Sequence, residues 1–346
     1  MTTAGAEASL TRVLRPAGGA TAVAVGVVRD GVPAVRCRGS VSRDRRIVAD
    51  ARTRFEIGSV TKTFTALLLA EMAAAGLVDC DDPVNRYLPA DARLPGPPVT
   101  LLHLATHTSG LPRLPRRLLV KGMFQWFSNP YARFGTADLL AGLPRTAPRS
   151  MPGTRVHYSN LGVALLGYAL GRAAGDGYES ALQARVLDPL GLSDTDGDPR
   201  APQATGYWHR RPRPPWRIPG MPGAGMLRSS GEDLLRYVTA LLDPSAVTGS
   251  LGAALRDVQR PRPVGPGVPP RCLVWNLRHE ATHDLVYHGG ATRGFTSFVG
   301  FSPQTGTGLV ALTNTTPWLR NTFIQSAYDA LRALAAQSTS ASPSRS

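Results

Sequence analysis

The chain has 346 residues, 42% hydrophobic and 18% charged, the balance of a folded protein rather than a disordered one, with length enough for two packed subdomains around a large core. No apolar run approaches the roughly 20 residues that cross a bilayer. The net charge of +15 comes from 39 basic residues, all but Lys62 and Lys121 arginine, scattered without any nucleic-acid motif, so composition rather than a nucleic-acid partner accounts for it.

Met1 to Glu7 carries no positive side chain, so no secretory signal is expected and the chain reads as cytoplasmic. Ala20 to Val28 and Ala34 to Arg38 are β-rich runs joined by Arg29-Asp30-Gly31-Val32-Pro33, and the Asp-Gly step signals a hairpin. Ser59 to Ala75 reads as a helix apolar nearly all round, with Gly76 just past its end. Such a helix is buried, which makes Lys62 within it conspicuous. From Asp81 to about Gly220, helices expected over Leu101 to Thr106, Thr136 to Leu143, Asn160 to Ala174 and Glu179 to Leu187 alternate with Pro-rich loops.

The last third returns to β character at Cys272 to Arg278, Asp284 to His288, Phe295 to Phe301 and Gly308 to Thr313. Trp318 to Ala336 reads as a closing helix and Ser338 to Ser346 as a disordered tail. Strands at both ends around a helical middle predict an α/β (α+β) fold. Its antiparallel sheet is built from both termini and flanked by helices, with residues 8–80 and 221–337 forming the sheet domain and 81–220 an inserted, mostly helical domain. Cys37, Cys80 and Cys272 are odd in number and far apart, so they are expected to be reduced core thiols, not a disulfide framework or metal cluster.

Three short motifs carry chemistry. Ser59-Val60-Thr61-Lys62 sets a hydroxyl and an amine three residues apart, on one face of a helix, near the first turn where free N–H groups favour negative charge. Tyr158-Ser159-Asn160 opens the Gly-rich helix. Ser159 or Asn160 is its cap, and Tyr158 stands just outside, where a neighbouring ammonium would lower its pKa and let the phenolate take a proton from Ser59. His288-Gly289-Gly290-Ala291 ends one strand before another. Its paired glycines are expected to let a substrate backbone approach and to expose N–H groups, with His288 supplying a cation or a hydrogen bond.

Together, in this order, the motifs resemble the serine β-lactamase-like family: class C β-lactamases, D-alanyl-D-alanine carboxypeptidases and related esterases. That family carries Ser-x-x-Lys, Tyr-x-Asn and a Lys/His-Thr/Gly-Gly triplet. Further matching segments are FEIGS from Phe55, HLATHTSGLP from His103, PGTRVHYSNLGVALLGYAL from Pro152, PLGLSDT from Pro189, GAGMLRSSGEDLLRY from Gly223 and GFTSFVGFSPQTGTGLVALTNT from Gly294. The resemblance implies that Ser59 is acylated, that Lys62 and Tyr158 share the acid and base work, and that Asn160 contacts the acyl side. The N–H groups of Ser59 and Ala291 would form the oxyanion hole.

Where β-lactamases usually carry Lys in the third motif, this chain has His288, a weaker cation near neutral pH, followed by Gly289 in place of a hydroxyl residue. Both changes favour an esterase or amidase acting on a small ester or amide, ahead of a β-lactamase or D-Ala-D-Ala carboxypeptidase. A catalytically idle scaffold of the same fold would be expected to have lost Ser59, Lys62 or Tyr158. The chemistry requires no cofactor and no metal. His103 and His107, spaced i, i+4, have no third ligand to complete a metal site. The basic, aromatic stretch Leu111 to Phe134 reads as an amphipathic piece packing on the helical domain, ahead of a lid or a membrane-surface patch, and Tyr207, Trp208 and Trp216 as a substrate wall.

Overall fold

The computed structural model describes residues 20–44, 46–123, 128–199, 203–316 and 322–340, together with 11, 13 and 14. Strands β1 (Ala22–Arg29) and β2 (Val32–Gly39) form the expected hairpin. Its turn is tighter than the sequence suggests: only Asp30 and Gly31 lie outside the strands, at φ 51° and 75°, the left-handed pair a two-residue turn demands.

The chain then lays down β3 (Arg54–Glu56), a 3-10 turn over Gly58–Val60 and helix α1 (Thr61–Ala74). Every α1 residue from Thr61 to Met72 is buried, Lys62 included. Gly76 closes the helix as expected, with Leu77 N–H donating to the Met72 carbonyl at 2.9 Å and Gly76 N–H to that of Ala73 at 3.0 Å.

The middle of the chain supplies α2 (Leu101–Ala105), α3 (Arg116–Lys121), α4 (Thr136–Gly142), α5 (Asn160–Ala174) and α6 (Tyr178–Leu182), the last running into a π-helical turn over Gln183–Leu187. Helix α5 has the predicted bounds, and its cap is Ser159, whose hydroxyl accepts from Gly162 N–H at 2.9 Å. The small hairpin β4 (Tyr207–Trp208) and β5 (Arg211–Pro212) precedes β6 (Arg228–Ser230), which pairs with β3. Helices α7 (Gly231–Leu242) and α8 (Gly249–Asp257) follow; neither is predicted from the hydrophobic pattern.

β7 (Asn276–His279), β8 (Asp284–Ala291), β9 (Thr296–Ser302) and β10 (Thr307–Thr313) complete an antiparallel six-stranded sheet in the order β2-β1-β10-β9-β8-β7. The expected sheet from both ends of the chain is therefore the observed one. Alternation decides its two faces. Ala22, Ala24 and Val310 join the core under α7, and Val23, Val25 and Leu309 meet the closing helix α9 (Phe323–Ser340).

Three expectations need correction. Cys272 to Val274 is not strand: Val274 has φ 67° and donates its N–H to the Ala105 carbonyl on α2 at 2.7 Å, so β7 begins only at Asn276. β8 extends through Ala291, so the His-Gly-Gly motif lies inside a strand paired with β9. Helix α9 continues to Ser340 rather than yielding to a tail at Ser338; Trp318 and residues 341–346 lie outside the described residues. Cys272 is buried, whereas Cys37 and Cys80 are only partly so. Burial pushes all three thiols up to about 11.

Candidate active site

The site forms where the 3-10 turn at Gly58–Val60 meets the end of β8. A side chain on Gly290 would run into the Ile57 carbonyl and Ser297 Oγ, and one on Gly58 into Ala291 N at 2.8 Å. The turn and the strand are thus in backbone contact, stitched by Ser297 Oγ donating to the Ile57 carbonyl at 2.8 Å. The glycines have a packing role inside the protein. Gly290 makes room for the protein's own turn, and Gly289 for Ile324 on α9, whose Cδ1 lies 3.2 Å from where a Cβ would stand.

Ser59, Lys62 and Tyr158 come together although 99 residues separate the serine from the tyrosine. Lys62 Nζ donates to Ser59 Oγ at 3.0 Å and to the Ala224 carbonyl at 2.6 Å, and the Tyr158 hydroxyl donates to Ser59 Oγ at 2.8 Å. The ammonium also lies 5.2 Å from the Tyr158 ring centre. Lys62 is fully buried and Ser59 partly open.

Burial lowers the Lys62 pKa, against the opposing pull of Tyr158, and the charge of Arg113 lowers it further. For Tyr158 burial alone acts upward, but the Lys62 charge and the hydrogen bonds with Lys62 and Ser59 outweigh it and hold the phenol below its usual value. The two groups titrate as a pair.

Asn160 donates through Nδ2 to the Tyr131 hydroxyl at 3.4 Å, while its buried Oδ1 has no hydrogen-bond partner among the described residues. His288 is buried, and its Nδ1 sits 2.9 Å from the Gly289 carbonyl; a carbonyl only accepts, so Nδ1 carries the proton. Burial and the Lys62 charge depress its pKa to about 3. His288 is therefore a neutral hydrogen-bonding group here, not the cation considered from the sequence. Ala291 is exposed at the strand end beside the turn.

Sequence reasoning overlooked several residues around this cluster. His107, at φ 58°, brackets Tyr158: its carbonyl accepts from His157 N–H at 2.7 Å, its Nδ1 from Ser159 N–H at 3.3 Å, and its ring lies 4.6 Å from the tyrosine ring. Arg113 covers the Tyr158 ring at 5.3 Å. Glu56, buried, accepts from Thr292 Oγ1 at 2.7 Å and Trp216 N–H at 2.6 Å, with Arg228 3.6 Å away. The available signal was an acid between the apolar Phe55 and Ile57, since a buried charge needs partners.

Helix α2 ends before His107, and His103 Nδ1 caps Thr100 N–H at 3.2 Å, so the i, i+4 metal geometry does not form. Among the described residues no cluster of three or more metal-ligating side chains occurs. Of the aromatics read as a wall, Trp216 stands 5.4 Å from Tyr131 and so beside Asn160. Tyr207 is instead buried, its hydroxyl accepting from Arg43 N–H at 2.7 Å, and Trp208 packs on His209. In the basic stretch Lys121 pairs with Asp138 at 2.5 Å; Phe124, Trp126 and Phe127 lie outside the described residues. Among the described residues no helix is long and apolar enough to cross a membrane.

The family model described as Beta-lactamase matches residues 10–334. The chain is 27% identical over 322 residues to the D-alanyl-D-alanine-carboxypeptidase/endopeptidase AmpH of Escherichia coli (strain K12), covering 87% of this chain and 81% of that protein. It is 28% identical over 327 residues to a beta-lactamase of the same strain, covering 84% and 83%. A beta-lactamase of Lysobacter lactamgenus is also 28% identical, over 333 residues, covering 84% and 82%.

Proposed function

Since this chain belongs to the β-lactamase family of serine hydrolases, we propose that it cleaves small esters or amides through an acyl-enzyme on Ser59. The observation that carries this reading is that Ser59 Oγ accepts hydrogen bonds from both Lys62 and Tyr158, at 3.0 and 2.8 Å. In the proposed reaction Oγ attacks the substrate carbonyl and its proton passes to the Lys62–Tyr158 pair. The N–H groups of Ser59 and Ala291 stabilise the oxyanion. Collapse breaks the carbonyl's bond to the leaving group, which takes the proton from the pair. Water then attacks the acyl carbon, the pair accepts its proton, and that proton returns to Oγ as the acid is released.

The neutral state of His288 supports an ester or amide without an obligatory carboxylate. The unpartnered Oδ1 of Asn160 suits a substrate N–H on the acyl side, and Trp216 with Tyr131 an apolar acyl group. The relatives' names favour a second reading, a β-lactamase or D-alanyl-D-alanine carboxypeptidase. Hydrolysis of p-nitrophenyl acetate and butyrate by the parent and Ser59→Ala, beside a chromogenic cephalosporin, separates the two. Ester turnover lost in the variant, with little cephalosporin turnover, is expected. Rapid Ser59-dependent loss of the cephalosporin would move the assignment to a β-lactamase. Equal rates in parent and variant would overturn the nucleophile.

A further inference from the structure

We infer that Glu56 and Thr292 are positioning residues whose mutual hydrogen bond sets the spacing of the two oxyanion donors; this rests on reading Ser59 as the nucleophile. Glu56 precedes Ser59 by three residues on the strand that enters the turn, and Thr292 directly follows Ala291. The ladder between β8 and β9 ends at the Ala291–Thr296 pair. Just beyond that pair, the Thr292 hydroxyl donates to Glu56 Oε2 at 2.7 Å and ties the strand end to the segment that leads into the turn.

The carboxylate is held firmly enough to serve as an anchor. It is buried, its Oε1 accepts from Trp216 N–H at 2.6 Å, and the fully buried Arg228 guanidinium lies 3.6 Å away. Arg228 is itself fixed by the carbonyls of Gly197 at 2.9 Å, Met226 at 3.2 Å and Trp216 at 2.5 Å. Thr292 is equally constrained: its N–H donates to the Phe295 carbonyl at 3.0 Å and its Oγ1 accepts from Gly294 N–H at 3.2 Å. The Glu56 carboxylate thus joins the segment leading to Ser59, the chain just beyond Ala291 and the backbone of Trp216. An oxyanion hole works only while its donors keep their spacing to within about 0.5 Å, and this bond ties the residue after Ala291 to the strand end three residues before Ser59.

The test compares Thr292→Val, which keeps the shape and removes the hydroxyl, with Thr292→Ser, which keeps the hydroxyl. Two quantities are read on the full chain. One is the rate at which a fluorophosphonate probe modifies Ser59, forming the Oγ–P bond with loss of fluoride, followed by mass spectrometry. The other is the split of ester hydrolysis into kcat and KM.

We expect Thr292→Val to slow both Ser59 modification and kcat roughly tenfold or more, with KM little changed, and Thr292→Ser to stay within about twofold of the parent. Thr292→Ala replaces the valine variant if that does not fold. A hydroxyl-free variant reacting at the parent rate, or a serine variant as slow as valine, overturns the inference while the Ser59 reading stands. A folded parent whose Ser59 is never modified overturns that reading and the inference with it.

Discussion

The hydroxyl of Ser297, on the strand beside β8, donates to the carbonyl of Ile57, two residues before Ser59, at 2.8 Å, and Gly290 lies directly against that bond. A methyl group at position 290 meets Ile57 O and Ser297 Oγ far inside contact distance, whereas one at 289 meets only the flexible end of Ile324 at 3.2 Å. We expect Gly290→Ala to destabilise the fold by more than about 3 kcal/mol and Gly289→Ala by less than about 1.5 kcal/mol. Denaturant unfolding of both variants checks this; similar midpoints would contradict the close approach.

Tyr158→Phe retains the ring that fills the space between His107 and Arg113 and removes only the hydroxyl on Ser59. We expect kcat to fall by roughly 10²- to 10⁴-fold, with an unfolding transition close to the parent's. A variant within a factor of about three of the parent would take Tyr158 out of the proton-handling pair.

His107 holds the backbone on either side of Tyr158 while occupying a left-handed conformation. Asparagine tolerates that conformation and offers an oxygen where Nδ1 accepts; alanine offers neither. Releasing the phenol from the Lys62 charge raises its pKa, because burial alone acts in that direction. In His107→Ala the acid limb of the kcat/KM profile should therefore move to higher pH, and His107→Asn should restore it. An alanine variant that loses only thermal stability, its profile unmoved, would reduce His107 to a packing role.

His288 couples the fold to pH. Its folded pKa of about 3 lies below the ordinary histidine value of 6.5, so between those limits the unfolded chain holds the extra proton. Stability therefore falls as pH drops from 6.5 toward 3 and is unaffected by this group above that window. At pH 5 the penalty is on the order of 2 kcal/mol. His288→Gln should remove it, so parent and variant unfolding curves measured at pH 7.5 and pH 5 should change their separation by about that amount. A constant separation would show that the imidazole is not held neutral.

How much was legible in the sequence follows from which interactions are local. The helix over Asn160–Ala174, the Asp-Gly hairpin and the Ser59–Lys62 spacing depend on capping, turn chemistry and helical period, all written within a few neighbouring residues. The β-rich runs at both ends of the chain around a helical middle were enough to indicate the sheet built from both ends. Tertiary structure decided what no neighbour specifies. His-Gly-Gly lies within a strand because Ser297 to Val299 pair with it, and the Ile57–Val60 turn and Ile324 press on its glycines. His288 is neutral because burial beside Lys62 removes its solvation. Glu56, an acid between Phe55 and Ile57, acquires Thr292, Trp216 and Arg228 only when segments more than 150 residues apart converge. Hydration and charge pairing depend on distances through space, and those distances exist only once the chain has folded.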